Sequence, residues 1–309
     1  MPAARPTRIP GGPLIGALLL WGWLIAWGAG AAVAGPQPPG AAIASAHPLA
    51  TEAGCEVLAA GGNAFDAAVA VSAALAVVEP YSSGVGGGGF WLLHRAADGF
   101  ETMIDGRERA PLAAHRDLYL DADGEVIPGL SMDGPLAAGI PGEPAALAHL
   151  AGHYGRLPLA ASLAPAIRLA REGFAADALY HRYAGFRLTA LERSDEAARL
   201  FLADGEPPPA GHRIVQPELA ATLEALARDG HDGFYRGEVA ARLVAGVRAA
   251  GGIWTLEDLA TYRVVEREPV RGEYRDLRIT TAPPPSSGGV VLLTALNILA
   301  GYELDALDE

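Results

Sequence analysis

The sequence contains no lysine, and all 23 of its basic residues are arginines, scattered along the 309-residue chain. They are outnumbered by 36 acidic residues, so the formal net charge at pH 7 is −13. Proteins that bind nucleic acids gather Lys and Arg on one face to neutralise phosphates. The composition therefore argues against a nucleic-acid partner.

Cysteine is nearly absent as well. Cys55 is the only one, so no disulfide can form within the chain. Hydrophobic residues make up 50% of the sequence and charged residues only 19%. A chain of this length and composition can bury a large core, which must provide its stability. Because Cys55 lies in an alanine-rich stretch that is predicted to be helical, we expect a buried, unreactive thiol.

The sequence also lacks local signatures of common nucleophiles and cofactor sites. It has no G-x-S-x-G motif, and no Cys/His signature surrounds Cys55. Gly84–Gly89 formally matches G-x-G-x-x-G, but it follows a predicted helix and precedes a predicted strand, the reverse of the order in a dinucleotide site. We therefore expect no nucleotide cofactor, and interpret the glycines as positions of close backbone approach or positive φ.

Two groups of potential metal ligands have simpler explanations. His149 and His153 are four residues apart on a predicted helix, but no H-E-x-x-H pattern or third ligand accompanies them, so we expect a solvated helix face. Asp121, Asp123 and Glu125 resemble part of a calcium loop, yet glycine stands at the fourth position rather than the sixth. We predict a turn there, and no metal site.

Residues 1–34 have the features of an export signal. Two arginines precede the uncharged, strongly apolar segment Ile15–Trp27, and Ala32–Ala34 fits an A-x-A cleavage site. We predict cleavage after residue 34, with residues 35–309 exported to the periplasm or the extracellular space. A retained membrane anchor is the alternative, because residues 11–35 carry no charge and are nearly long enough to span a bilayer.

Apolar periodicity and helix-terminating residues predict a mainly helical exported part with two pairs of strands. The predicted helices are Thr51–Ala60, Ala64–Val78, Glu143–Tyr154, Leu159–Glu172, Asp177–Leu191, Pro217–Arg228, Glu238–Ala250, a short one after Thr255, and Val290–Leu299. The predicted strand pairs are Phe90–Arg95 with Phe100–Asp105, and Val264–Tyr274 with Leu277–Ala282. The helix over Ala64–Val78 is apolar on nearly every side, so we expect it to be buried.

Asp105–Pro111 (DGRERAP) is the sharpest cluster of charged residues, and it directly follows a predicted strand. Arginine binds carboxylates through two parallel hydrogen bonds, so Arg107 or Arg109 in this position suits an amino-acid-like ligand. The alternative is a structural ion pair in which these arginines neutralise Asp105 and Glu108. Spacing alone leaves both interpretations open and favours the ion pair.

An ordered set of longer stretches resembles the large subunit of the gamma-glutamyltranspeptidase family. The stretches are Pro48–Leu93, with the run GGNAFDAAVA and a glycine cluster, then Asp105–Pro111 (DGRERAP), Gly139–Pro144 (GIPGEP), Pro165–Phe174 (PAIRLAREGF) and Pro283–Gly289 (PPPSSGG). The resemblance covers about residues 41–305, and the motifs occur in the family's order.

The resemblance implies an α/β (α+β) fold, the four-layer αββα sandwich of N-terminal nucleophile hydrolases. Family members are precursors that cleave themselves, and the new N-terminal threonine attacks the γ-amide of glutathione or a similar donor. The resulting acyl-enzyme then passes the γ-glutamyl group to water or to an amino-acid or peptide acceptor. No metal or organic cofactor is implied, and the protein partner is the small subunit from the same precursor.

Arg107 is the one residue whose role carries over, because it matches the family arginine that pairs with the donor's α-carboxylate. The nucleophilic threonine lies in a T-[ST]-H segment in the family, and this sequence contains none. We therefore expect the nucleophile beyond Glu309. Residues 35–309 are interpreted as a partial large-subunit region that lacks its C-terminal part and the small subunit, and that is inactive alone.

Two alternatives remain at this point. A cephalosporin or glutaryl-type acylase would share the fold and use the same arginine for a simple carboxylate. A non-catalytic exported binding fragment would account for the missing threonine. In either case we expect no stable membrane span once the signal is removed.

Overall fold

The computed structural model describes residues 40–302 of the chain. The chain divides into two units, residues 1–42 and 43–309, and all the helices and strands given below lie in the second. The predicted signal peptide lies outside the described residues. Between residues 40 and 302, no helix is both long enough and apolar enough to cross a membrane.

Helices form most of the regular structure. In chain order they are α1 (Pro48–Ala59), α2 (Ala64–Val78), α3 (Glu143–Tyr154), α4 (Leu159–Glu172), α5 (Ala178–Leu191), α6 (Asp195–Phe201), α7 (Pro217–Asp229), α8 (His231–Tyr235), α9 (Gly237–Ala249), α10 (Leu256–Ala260) and α11 (Gly288–Leu299). All the longer helices were predicted to within a few residues at each end, whereas α6 and α8 were missed. These two are too short to carry an apolar period that can be recognised.

The strands form antiparallel pairs. They are β1 (Gly89–Arg95), β2 (Phe100–Gly106), β3 (Phe174–Ala175), β4 (Arg213–Ile214), β5 (Val265–Arg267), β6 (Val270–Tyr274) and β7 (Leu277–Thr281). Strand β2 is central in the three-stranded sheet β1-β2-β5, and β3-β4 and β6-β7 are separate ladders. The β1–β2 hairpin confirms the first predicted strand pair.

The second predicted strand pair is partly wrong, because the segment Val264–Tyr274 is not one strand. It divides into β5, which pairs with β2, and β6, which pairs with β7. Pro269 stands at the break. Proline has no N–H to donate to a ladder and is excluded from the interior of sheets, so the chain leaves one sheet there and enters another.

Helix α2 is the centre of the hydrophobic core, as its sequence predicted. Most of its side chains are small, which lets α1, α3 and α4 pack closely around it. Its neighbour α1 turns Ala50, Ala53 and Val57 inward, but Cys55 lies on the opposite side and is exposed. The expectation of a buried thiol is therefore wrong, because the helical period places position 55 away from the core.

Asp66, the only charged residue of α2, is fully buried and connects two segments of backbone through three N–H groups. It forms a capping box with Asn63, whose N–H donates to Asp66 Oδ2 at 2.8 Å. The N–H groups of Arg156 and Leu157, in the turn between α3 and α4, donate to the same carboxylate at 2.9 and 3.2 Å. The acid therefore fixes the start of α2 against the α3–α4 turn.

We expect Asp66→Ala to lower the free energy of unfolding by about 3 kcal/mol, because three partly buried N–H groups lose their acceptor together. The matched control is Ser194→Ala at the exposed N-cap of α6, which should cost about 1 kcal/mol. Urea denaturation of both variants measures the difference. Equal losses in the two variants would contradict the connecting role of Asp66.

Candidate functional site

The charged loop after β2 is anchored by a buried carboxylate. Asp105 is only 7% exposed, and its Oδ1 accepts a hydrogen bond from the Arg107 N–H at 3.0 Å. Its Oδ2 accepts from Nε of Arg267, on the adjacent strand β5, at 2.8 Å. Asp105 is thus neutralised by the neighbouring strand, and it fixes the backbone at the point where the loop begins.

The two arginines of the loop have different environments. Arg109 donates to the carbonyl of Arg263 at 2.8 Å, and its guanidinium lies 5.1 Å from the centre of the Tyr262 ring. Arg107 is exposed, and within residues 40–302 its guanidinium makes no hydrogen bond or ion pair. The ion-pair interpretation is therefore wrong: Asp105 pairs with Arg267, a residue that the spacing of the loop could not reveal.

Arg107 borders a cavity of about 290 Å³ whose wall comes from segments far apart in the chain. Its lining includes Glu108, Tyr262, Arg267 and Pro285. Pro285 belongs to the PPPSSGG segment before α11, so the structure brings two of the motifs noted in the sequence to one place. A cationic side chain without a partner, at the edge of a cavity, is suited to binding a carboxylate.

The glycine cluster lies behind this loop, where the backbone segments approach closely. A side-chain carbon at Gly88 would overlap the carbonyl oxygen of Gly106, and it would lie 3.0 Å from the Cα of Arg107. None of the cluster glycines has positive φ. Of the two explanations offered by the sequence, close backbone approach is therefore the correct one.

The GIPGEP segment packs against the same glycines. The carbonyl of Gly87 accepts hydrogen bonds from the N–H groups of Gly142 and Glu143, at 2.8 and 3.0 Å. Ile140 and Arg109 form a two-way backbone bridge at 2.7 and 3.2 Å. Three sequence motifs therefore meet around the start of α3.

Glu143 is a candidate site residue that was not predicted from the sequence. Its side chain borders a second cavity, of about 350 Å³, together with the glycine cluster and Glu108. It is 7% exposed, and its carboxyl group has no hydrogen bond or ion pair in the described part of the chain. Burial, and secondarily the charge of Glu108, raises the pKa of Glu143 to about 8. Its place at the start of a helix, after a G-x-P-G motif, was the available signal.

The histidines and acids considered as metal ligands have structural partners instead. His149 Nε2 lies 2.7 Å from Glu266 Oε1, and the His149 and His153 rings stack at 4.0 Å. This pairing connects α3 to β5. The expected solvated helix face therefore describes His153, which is exposed, but not His149, which is partly buried against β5. Asp121 Oδ1 accepts from the N–H groups of Asp123 and Glu125, both at 2.9 Å, and forms the predicted turn. No group of three or more His, Cys, Asp or Glu between residues 40 and 302 could hold a metal ion.

Solved structures establish the class. A crystal structure of the gamma-glutamyltranspeptidase of Helicobacter pylori is similar to this chain, with 40% identity and a TM-score of 0.85, over 88% of this chain and 78% of that one. This similarity confirms the expected α/β fold of an N-terminal nucleophile hydrolase. The family model described as gamma-glutamyltranspeptidase matches residues 50–309, and the chain therefore belongs to the gamma-glutamyltranspeptidase family.

Two curated relatives show both the similarity and its extent. The glutathione hydrolase proenzyme of Pseudomonas sp. (strain A14) is 44% identical over 270 residues, which is 86% of this chain and 46% of the relative. The acylase ACY 1 proenzyme of Pseudomonas sp. (strain V22) is 39% identical over 274 residues, covering 86% and 48% respectively. The chain thus spans about half the length of the curated relatives it matches.

We expect the stability of the chain to fall as the pH rises from 5 to 9, and Glu143→Gln to reduce this fall. Between its ordinary pKa of 4.5 and the native value of about 8, Glu143 holds a proton in the folded state that the unfolded state has lost. Folding is therefore progressively penalised across this window, and glutamine, which does not ionise, removes that penalty.

The measurement is the free energy of unfolding at pH 5 and at pH 9 for the parent and the variant. Glu238→Gln is the matched control, because Glu238 is an exposed acid in the first turn of α9. The control should keep the pH dependence of the parent. An unchanged pH dependence in Glu143→Gln would show that Glu143 is ionised in the folded chain.

Proposed function

We propose that this chain forms the carboxylate-binding part of an enzyme that transfers γ-glutamyl groups from glutathione-like donors to water or to amino-acid and peptide acceptors. The observation that carries the proposal is the exposed guanidinium of Arg107, which has no partner in residues 40–302 and stands at the edge of a cavity. Arg107 would bind the donor's α-carboxylate through two parallel hydrogen bonds and so orient the γ-amide.

The nucleophile in this proposal comes from a continuation of the precursor beyond Glu309. The sequence holds no T-[ST]-H segment, and the isolated threonines here lack that context. After self-cleavage, the hydroxyl of the new N-terminal threonine attacks the γ-carbonyl carbon and the donor's amine leaves with a proton. Water or an acceptor amine then attacks the acyl-enzyme and restores the threonine hydroxyl.

We also propose that the protein is exported, with residues 1–34 as a cleaved signal and the periplasm as the destination. The two arginines, the apolar segment and the A-x-A site support this. Determination of the N-terminus of the secreted protein tests it. A mature N-terminus at Gly35 supports cleavage, whereas an intact Met1 in the membrane fraction supports the retained anchor.

A glutaryl-type acylase is the second candidate, favoured by the relative named as an acylase. Its substrate would present a carboxylate to Arg107 without the neighbouring α-ammonium of a γ-glutamyl group. Comparing hydrolysis of γ-glutamyl and glutaryl substrates by the complete precursor separates the two enzymes. Reading the coding sequence beyond codon 309 tests the third alternative, a non-catalytic fragment, which a genuine stop codon together with stable expression would favour.

We expect purified residues 35–309 to leave a chromogenic γ-glutamyl anilide intact, because this segment supplies no N-terminal threonine nucleophile. The precursor extended through a T-[ST]-H segment should hydrolyse it. Release of the chromophore by residues 35–309, with ordinary saturation kinetics, would contradict the proposed position of the nucleophile.

In the complete precursor, Arg107→Ala should raise the KM for the γ-glutamyl donor roughly 10- to 100-fold, because a charge-assisted pair of hydrogen bonds is lost. Arg107→Lys should recover only part of it, since an ammonium cannot form the planar fork. Arg116→Ala is the control, an exposed arginine of the following loop whose partner is Asp117. An unchanged donor KM in a folded Arg107→Ala enzyme would refute the role of Arg107.

A further inference from the structure

The backbone of Arg107 is held on both sides by buried side chains. Its N–H donates to Asp105, as described above, and its carbonyl oxygen accepts a hydrogen bond from the hydroxyl of Tyr262 at 2.7 Å. Tyr262 is 155 residues further along the chain and only 2% exposed. The backbone that carries this otherwise unattached guanidinium therefore accepts a hydrogen bond from a remote buried hydroxyl.

Tyr262 is itself fixed by a stack of rings, which we call the aromatic column. Its ring is stacked on that of Tyr235, with centres 5.4 Å apart and an angle of 11°, and Tyr235 is stacked on His231 at 4.4 Å and 15°. The guanidinium of Arg109 lies over the Tyr262 ring. The buried rings of Tyr262 and Tyr235 are thus enclosed between the Arg109 guanidinium and the His231 ring. Because the Tyr262 ring is held on both faces, its hydroxyl has little freedom to move.

The hydroxyl reaches Arg107 only because a glycine stands beside it. A side-chain carbon at Gly142 would overlap both the Tyr262 hydroxyl and the carbonyl oxygen of Gly106. Burial raises the pKa of Tyr262 to about 12, so the hydroxyl keeps its proton and acts as a donor at physiological pH. Gly142 thus leaves the space in which the Tyr262 hydroxyl donates to the Arg107 carbonyl.

We propose that Tyr262 is a positioning residue for the carboxylate-binding function of Arg107, acting through the hydrogen bond to the Arg107 carbonyl. The inference rests on the proposed function, which requires Arg107 to bind the donor. A guanidinium on a fixed backbone loses less freedom when it binds a carboxylate, so the hydrogen bond contributes to donor affinity and not to the chemistry of acyl transfer.

The test variant is Tyr262→Phe, which removes the donor and keeps the stacked ring. In the complete precursor we expect the donor KM to rise about 3- to 10-fold, the loss of one hydrogen bond, with kcat changed by less than about 2-fold. Tyr180→Phe is the matched control, a buried tyrosine whose hydroxyl donates to the Phe201 carbonyl, and it should leave the donor KM unchanged.

A double variant decides whether Tyr262 acts through Arg107. If it does, Tyr262→Phe in the Arg107→Ala background should raise the donor KM no further. If the two residues act independently, the fold-increases in KM of the two single variants should multiply. Multiplied effects, or a kcat that falls with KM unchanged, would overturn the proposal.

Hydrogen–deuterium exchange separates this proposal from the proposed function, because it needs no activity. In the 309-residue chain, Tyr262→Phe should speed exchange of the amides around Arg107 at least about threefold, with no such change in Tyr180→Phe. Unchanged exchange would overturn the positioning role whatever the kinetics show. If exchange becomes faster but the Arg107→Ala enzyme keeps a normal donor KM, the proposed function is wrong. The positioning role of Tyr262 in donor binding is then overturned as well.

Discussion

The site depends on a contact between three segments of backbone that only glycine permits. The end of β2 at Gly106 lies against Gly88, before β1, and against Gly142, before α3, and a side-chain carbon at either position would overlap the Gly106 carbonyl. Arg107 and Glu143 each follow one of these glycines directly. The close approach of the backbone therefore determines the positions of Arg107 and Glu143, independently of the contacts that their side chains make.

Buried polar side chains fix the loop that follows this contact, between residues 105 and 112. Asp105 holds its beginning, Tyr262 its middle, and Asp258 its end, where Oδ1 accepts from the N–H of Leu112 at 2.5 Å. Asp258 also forms the capping box of α10, which precedes Tyr262. Each of these groups is buried and hydrogen-bonded, so displacing the loop would leave several of them without partners. The backbone that carries Arg107 is therefore fixed, while its guanidinium makes no hydrogen bond or ion pair within residues 40–302.

Features that depend on interactions between residues close together in the sequence were predicted. Features that depend on interactions between residues far apart in the sequence were missed. The bounds of α2 and the β1–β2 hairpin follow from neighbouring residues, and they were predicted closely. The partner of Asp105 and the role of Tyr262 depend on residues more than 150 positions away. No local pattern contains that information, and the ion-pair interpretation failed for this reason, although Arg107 itself could be selected from its motif.

The charges of the loop also define which ligands Arg107 would and would not discriminate in the proposed function. Arg267 pairs with Asp105, so Asp105 does not occupy the guanidinium of Arg107, which has no ion-pair partner within residues 40–302. A γ-glutamyl donor and a glutaryl substrate both offer a carboxylate, and a guanidinium fork binds either one. Selection between them must therefore come from groups that detect the α-ammonium, since that charge is the difference between the two ligands. Direct comparison of substrates, and not substitution of Arg107, is consequently what distinguishes the transferase from the acylase.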